Sequence, residues 1–185
     1  MANEFPKGIT LHYDHVGIYV SELDRSIKWY SEMLGYELMA RLPFPLLEVD
    51  GSNEFFTTDI AFLQCGDHNL ELYCSPRFAA YNYNHYKGEL GTKHISYILP
   101  PKDYNILIDY LWGKGVKFTV GGNEKHHVKD PFEGVFKGPP ILRAFILDPD
   151  GIPIEIIGRE LGRKAVRDML DTYLSQLKEM QTKNK

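Results

Sequence analysis

The sequence predicts an α+β fold made of two tandem βαβββ modules, which cover residues 11–75 and 93–158. The first observation is that one order of strand and helix signals occurs twice along the chain. The second is that equivalent residues of the two modules have similar separations in the sequence. From the His of the first strand to the Gly that ends the helix, the separation is 20 residues in the first module and 21 in the second. From the same His to the Glu of the last strand, it is 56 and 61 residues. These residues are His15, Gly35 and Glu71 in the first module and His94, Gly115 and Glu155 in the second.

The first module begins with a strand that contains LHYDHVGIYV and continues with a helix over SELDRSIKWYSEMLGY. Ser21 is the expected N-cap of the helix and Gly35 ends it. Apolar residues recur at helical spacing between them, at Leu23, Ile27, Tyr30 and Leu34. Three strands then follow from alternation and turn signals, namely YELMARLP, TDIAFLQC and NLELYCS.

The second module repeats this order with a strand over KHISYILP, a helix over PKDYNILIDYLWGKG that ends near Gly115, and strands over VKFTVGG, LRAFILDP and IPIEIIG. Residues 121–140 read as a long loop punctuated by Gly and Pro, and such loops often serve as lids or specificity elements. Residues 161–185 place one apolar stripe on a predicted C-terminal helix. This amphipathic helix is expected to cover its own sheet or that of a partner subunit.

Composition removes several function classes. With 21 Lys and Arg against 25 Asp and Glu, the net charge of −4 gives no basic face for nucleic acid. Apolar runs are far shorter than the ~20 residues that cross a bilayer, and the start shows no signal peptide, so we expect a cytoplasmic protein without membrane contact. Cys65 and Cys74 make no disulfide scaffold, and the CxxC, GxGxxG, GxxxxGK[ST] and GxSxG motifs are missing.

Four polar side chains occupy equivalent positions in the two modules. Because alternate side chains of a strand point to opposite faces, His15 lies opposite the aliphatic Val16 and Ile18. The same alternation separates Glu71, His94 and Glu155 from their aliphatic neighbours. If each module forms half of a cup-shaped sheet, all four face one cavity.

Two imidazoles and two carboxylates suit a divalent ion such as Ni²⁺, Zn²⁺, Co²⁺, Fe²⁺ or Mn²⁺. Each residue alone has an ordinary alternative, since a strand Glu is usually solvated and a lone strand His is usually satisfied or exposed. Their joint placement at matching ends of a repeated module favours ligation by His15, Glu71, His94 and Glu155.

These features resemble the vicinal oxygen chelate superfamily, which has the glyoxalase-like fold. The resemblance covers about residues 11–158 and rests on YDHVGIYVSELDRSIKWYSEMLGYEL and on AFILDPDGIPIEII, whose DPDG turn leads into a strand Glu. It implies a cup-shaped mixed sheet, a metal held by the first and last strands of each module, and a homodimer. The positions that match the metal ligands are the four named above.

The superfamily contains several reaction types, so residues must separate them. Extradiol dioxygenases carry a Tyr in the strand before the last ligand, where this chain has Phe145. Their upstream His falls here on Lys137, Gly138 and Pro139. Methylmalonyl-CoA epimerases usually have Gln at the position of Glu71. The arrangement is most similar to glyoxalase I, yet Tyr19 and Ser75 replace its glutathione-binding Arg and Asn.

The resulting prediction is a metal-dependent lyase or isomerase of the glyoxalase type that acts on a small molecule with adjacent oxygens. The ion would stabilise the charge that appears when a proton leaves the carbon next to a carbonyl. Glu155, or Glu71 on the opposite face, would be the base. A dioxygenase, an acyl-CoA epimerase and a non-catalytic binding protein remain alternatives.

Several other residues are weaker candidates. Arg143 and Lys93 could contact an anionic substrate, although solvated strand-edge charges are the favoured interpretation. Tyrosines on the ligand faces could shape the pocket or donate hydrogen bonds, with packing equally expected. His126 and His127 are loop histidines, which are most often exposed. The tyrosines are Tyr13, Tyr19 and Tyr73.

Overall fold

The computed structural model describes residues 14–47, 55–74, 94–129 and 142–159, together with Asp171 and Ser175. The chain divides into a first unit, residues 1–82, and a second unit, residues 83–185. Neither helix in the four described ranges combines the length and hydropathy that a membrane-spanning helix needs.

The first unit contains a four-stranded sheet and one helix. Its elements are β1 His15–Tyr19, α1 Leu23–Leu34, β2 Glu37–Leu47, β3 Phe55–Cys65 and β4 His68–Cys74. The strand order is β1-β4-β3-β2, in which β1 and β4 run parallel and the other pairs are antiparallel. The first and last strands of the unit are therefore hydrogen-bonded neighbours.

The N-cap of α1 differs from the one expected. Glu22 is the N-cap, and its carboxylate accepts hydrogen bonds from the backbone N–H of Asp24 at 3.0 Å and of Arg25 at 2.6 Å. The expected cap Ser21 instead accepts a hydrogen bond from the Arg25 guanidinium at 2.8 Å. The helix begins one residue later than predicted because the longer Glu side chain reaches two free amides. Gly35 ends the helix in the left-handed conformation, as predicted.

The second unit repeats this arrangement with one additional strand. Its elements are β5 Ile95–Leu99, α2 Pro101–Gly113, β6 Phe118–Gly122, β7 His127–Val128, β8 Leu142–Leu147 and β9 Pro153–Gly158. The strand order is β5-β9-β8-β6-β7, with β5 parallel to β9. The predicted α+β architecture is confirmed, with the first and last strands of each unit paired in parallel.

The short strand β7 corrects the interpretation of residues 121–140 as loop throughout. Gly121 and Gly122 have positive φ, and a Cβ on Gly122 would lie 1.9 Å from the His126 carbonyl oxygen. The Asn123 side chain accepts hydrogen bonds from the amides of Lys125 and His126 at 3.0 and 2.9 Å. These residues form a tight turn that returns the chain to β6.

The aliphatic faces of the strands form the core of each unit. Leu70 and Leu72 of β4 are fully buried, and α1 packs against β3 and β4. Ile154 and Ile156 of β9 are fully buried in the same way, and α2 packs against β9 and β5. The polar residues that alternate with them therefore lie on the sheet face away from the helix.

The predicted C-terminal helix over residues 161–185 lies outside the described residues, apart from Asp171 and Ser175. Both of these have helical backbone and are exposed. Lys93, Tyr13, Ser75 and residues 130–141 of the predicted loop also lie outside the described part of the chain.

Candidate metal centre

The first unit brings His15 and Glu71 together on one face of its sheet. In the parallel pairing of β1 with β4, Glu71 lies opposite Gly17, two residues beyond His15. The distance from His15 Nε2 to Glu71 Oε2 is 3.5 Å. The Glu71 side chain is only 14% exposed, whereas that of His15 is 42% exposed. The predicted alternation of faces therefore joins residues that are far apart in the sequence.

The second unit repeats this geometry with His94 and Glu155. Glu155 lies opposite Ser96, again two residues beyond the histidine. The distance from His94 Nε2 to Glu155 Oε2 is 3.2 Å, and the exposed fractions are 37% for His94 and 14% for Glu155. The two units thus present the same histidine and glutamate pair at the same offset between parallel strands.

The donor atoms within each pair have the chemistry and spacing of two ligands on one ion. A neutral imidazole nitrogen and a carboxylate oxygen both present lone pairs, so their close approach is favourable only when a proton or a cation lies between them. Two donors about 2.1 Å from one ion lie about 3.0 Å apart at 90° and about 3.4 Å apart at the tetrahedral angle. The observed 3.5 and 3.2 Å agree with these values. The described ranges contain these two-residue pairs, and they contain no group of three or more His, Cys, Asp or Glu side chains placed to hold a metal.

Asp14 orients the imidazole of His15. Its Oδ2 accepts a hydrogen bond from His15 Nδ1 at 2.8 Å. This hydrogen bond raises the pKa of His15, burial partly opposes the rise, and the charges of Glu71 and Asp14 add to it. With the Nδ1 proton directed at Asp14, the Nε2 atom that faces Glu71 is the one available to a metal, as in carboxylate–histidine–metal arrangements.

Each glutamate oxygen that faces a histidine also accepts a hydrogen bond from a hydroxyl group. In the first unit, the Tyr73 hydroxyl donates to Glu71 Oε2. In the second, Ser96 Oγ donates to Glu155 Oε2 at 3.0 Å. Burial, together with the hydrogen bond and the charge of Glu71, raises the pKa of the Tyr73 hydroxyl well above its usual value, so this group keeps its proton and remains a donor.

Sequence reasoning identified the four candidate ligands but missed part of their support. Asp14 directly precedes His15, and strand alternation would place adjacent side chains on opposite faces, whereas Asp14 lies before β1 begins. Ser96 lies two residues beyond His94 and therefore on the same face of β5, where it donates to Glu155. The sequence favours packing and hydrogen bonding equally for Tyr73, and in the structure its hydroxyl donates to Glu71. A search for hydroxyl residues two positions from each candidate ligand would have found both donors.

Phe145 lies beside the second pair. It pairs with Glu155 across β8 and β9, and its ring meets the His94 imidazole edge to face, with ring centroids 5.4 Å apart. The Arg143 guanidinium carbon lies 5.9 Å from the Phe145 ring centroid. The position next to His94 therefore presents an apolar ring without a hydroxyl group.

The remaining candidates lie in other surroundings. Tyr19 packs against Tyr73 with ring centroids 5.6 Å apart. His126 stacks on Trp112 at 5.0 Å, with its Nε2 3.7 Å from Asp109. His127 is exposed in β7. These contacts of His126 join the turn between β6 and β7 to α2, which contains Trp112 and Asp109.

In each of the two similar units, the first and last strands pair in parallel and bring a histidine and a glutamate together on the sheet face away from the helix, so the chain is an α+β protein built from a repeated module. Residues 12–156 match the family described as the Glyoxalase/Bleomycin resistance protein/Dioxygenase superfamily. The chain belongs to this superfamily, as the resemblance implied.

Individual relatives agree with this assignment. A lactoylglutathione lyase of Arabidopsis thaliana is 29% identical over 84% of this chain and 47% of its own length, so the chain spans about half the length of this curated relative. A glyoxalase I variant from Zea mays has a TM-score of 0.53 at 25% identity, over 80% of this chain and 45% of that one. A glyoxalase/bleomycin resistance/dioxygenase domain from Frankia sp. EAN1pec has a TM-score of 0.59 at 20% identity, over 86% of this chain and 99% of that one, and shares the fold.

Proposed function

We propose that this chain is a metal-dependent lyase or isomerase of the glyoxalase type. In the proposal, His15 and Glu71 of one unit and His94 and Glu155 of the other bind one divalent ion, within a chain or between the chains of a homodimer. The observation that carries it is the repeated pair of donor atoms, 3.5 and 3.2 Å apart at equivalent strand positions. Superfamily membership and relatives named lactoylglutathione lyase support the assignment.

The reaction proposed is removal of a proton from a carbon next to a carbonyl group. The ion, when bound, supplies Lewis-acid stabilisation of the negative charge that develops on the substrate oxygens. Glu155 takes the proton, or Glu71 does so on the opposite face of the substrate. Both carboxylates are only 14% exposed, so a proton placed on either is shielded from bulk water by the surrounding side chains.

The substrate proposed is a small molecule with two adjacent oxygen atoms. Glutathione itself is a weaker candidate, because Tyr19 and Ser75 stand where the resemblance places an Arg and an Asn. Arg143, near Phe145 in the second unit, supplies a positive charge that suits an anionic substrate group.

Phe145 weighs against oxygenase chemistry. An aromatic ring without a hydroxyl group lies against His94, where the resemblance to extradiol dioxygenases requires a Tyr. A non-catalytic binding protein of the same superfamily, which would bind its ligand without an ion, has no need for two paired sets of metal ligands. The apolar ring of Phe145 and the presence of two ligand pairs therefore both support the proton-transfer assignment.

Two measurements test the proposed function. The purified chain, incubated with Ni²⁺, Co²⁺ or Zn²⁺ and freed of excess ion, should retain about one metal per site by elemental analysis. The loaded protein should then exchange the carbon-bound proton of an α-hydroxycarbonyl, a hemithioacetal or an acyl-thioester with deuterium from solvent. Absence of metal binding would reject the site, whereas metal binding without exchange in any substrate class would reject the reaction.

The homodimer is part of the proposal as well. The resemblance implies it, and sedimentation equilibrium of the purified chain measures it directly. A monomer that binds one ion with four ligands would place the whole site within one chain.

A further inference from the structure

In each unit a hydroxyl group donates a hydrogen bond to the glutamate, but the strand that carries this hydroxyl differs between the two units. In the second unit the donor Ser96 lies on β5, the strand of the histidine, directly opposite Glu155. In the first unit the donor Tyr73 lies on β4, the strand of the glutamate itself, two residues beyond Glu71. The same oxygen, Oε2, is held in both cases, and it is the oxygen that faces the histidine.

The two units differ at both of the matched strand positions from which a hydroxyl group could reach the glutamate. Gly17 occupies in β1 the register position that Ser96 occupies in β5, and Ile157 occupies in β9 the position that Tyr73 occupies in β4. A Cβ added to Gly17 would lie 2.8 Å from Cε2 of Tyr73, so the tyrosine ring fills the space above the glycine. Gly17 and Tyr73 are therefore one complementary pair, which replaces the serine and isoleucine of the second unit.

We propose that Tyr73 is a positioning residue that holds the Glu71 carboxylate in its metal-binding orientation, and that it does in the first unit what Ser96 does in the second. This inference rests on the proposed function, because it assigns a role relative to the same ion. Neither the superfamily match nor the named relatives assign a role to this tyrosine.

The physical basis is the softness of the carboxylate torsion. The terminal torsion of a Glu side chain is broad and roughly two-fold, so the backbone alone does not fix which oxygen faces the histidine. The Tyr73 hydroxyl fixes it, because the ring is held between the Gly17 backbone and the Tyr19 ring. Groups that orient a metal ligand in this way typically contribute about 10–100-fold to metal affinity.

The test is titration of the purified chain with Co²⁺, followed by visible absorption, which reports coordination without any substrate. Tyr73→Phe keeps the ring above Gly17 and removes only the hydroxyl. We expect its Co²⁺ dissociation constant to rise by about 10–100-fold, with altered band positions. Tyr110→Phe, which removes a phenol hydroxyl from the exposed face of α2, is the control and should bind as the wild type does.

A rescue variant separates positioning from a general structural role. The double substitution Gly17→Ser with Tyr73→Ile transfers the arrangement of the second unit into the first, and its serine should bind Glu71 as Ser96 binds Glu155. We expect Tyr73→Ile alone to bind Co²⁺ weakly and the double variant to recover most of the affinity. A variant that only disturbed the fold would not be restored by a hydroxyl group placed on the other strand.

The outcomes distinguish this inference from the proposed function. A wild-type chain that binds no Co²⁺ would overturn the metal site and the role of Tyr73 together. Wild-type binding with an unchanged constant in Tyr73→Phe would overturn the role of Tyr73 alone. Weak binding in Tyr73→Phe without recovery in the double variant would also overturn it, provided circular dichroism shows both variants folded.

Discussion

Replacement of Glu155 by Gln tests the proton-transfer assignment most directly. The two side chains have nearly the same shape, and the amide oxygen of Gln can still accept the hydrogen bond that Ser96 donates to Oε2 at 3.0 Å. The substitution removes the negative charge and the ability to take a proton at neutral pH. We therefore expect the protein to fold and bind metal, while the proton-transfer rate falls.

The expected size of the effect follows from the role of a general base. General-base assistance contributes about 10²–10⁴ in rate, which corresponds to about 2.7–5.4 kcal/mol in activation free energy. The loss should appear in the rate constant for deuterium exchange, measured by NMR with saturating substrate. Metal content, measured by elemental analysis of the same sample, should change far less than the rate.

The matched control is Glu124→Gln, which removes a carboxylate from an exposed position in the turn between β6 and β7 of the same unit. Its exchange rate should equal that of the wild type. If Glu155→Gln retained both metal and exchange rate, Glu155 would have no part in the chemistry. If it lost the metal, ligation would be its role and Glu71 would remain as the base.

Three further predictions concern the site and the fold. His15→Ala should weaken metal binding by more than about 100-fold, because even residues that only orient a ligand contribute about 10–100-fold, and full occupancy would refute the assigned ligand. Leu72→Ala should lower the free energy of unfolding by about 2–5 kcal/mol in urea denaturation, since Leu72 is fully buried beneath α1, and a change under 1 kcal/mol would contradict that packing. Glu22→Ala should cost about 1 kcal/mol in the same assay and Ser21→Ala less, whereas the reverse order would identify Ser21 as the cap.

Much of the fold follows from the sequence because its signals are local. Alternation along β4 and β9 separates the aliphatic face from the polar face, and Gly35 marks the end of α1 through its positive φ. The prediction of Ser21 as the N-cap of α1 was wrong, because the adjacent Ser21 and Glu22 both have a side-chain oxygen. Only the backbone geometry decides which of them caps the helix. Strand β7 was missed because two residues are too short to show any periodicity.

The candidate site follows from the sequence in part. Faces and repeat positions predict that His15 approaches Glu71 and that His94 approaches Glu155, and the structure shows both approaches. The hydrogen bonds from Tyr73 and Ser96 depend on which strand contributes the hydroxyl, and this depends on the space above Gly17. Ligation of one ion by all four side chains stays a prediction.

Parallel pairing of β1 with β4, and of β5 with β9, has a consequence for how tightly an ion would be held. The folding of each unit alone brings together a histidine and a glutamate that are more than fifty residues apart in the sequence. Within each unit, a cation would therefore meet two ligands that the folded sheet already holds side by side. The conformational entropy that is lost when each histidine comes close to its glutamate is already lost when the sheet of that unit forms. More of the free energy of coordination then contributes to the affinity for the ion.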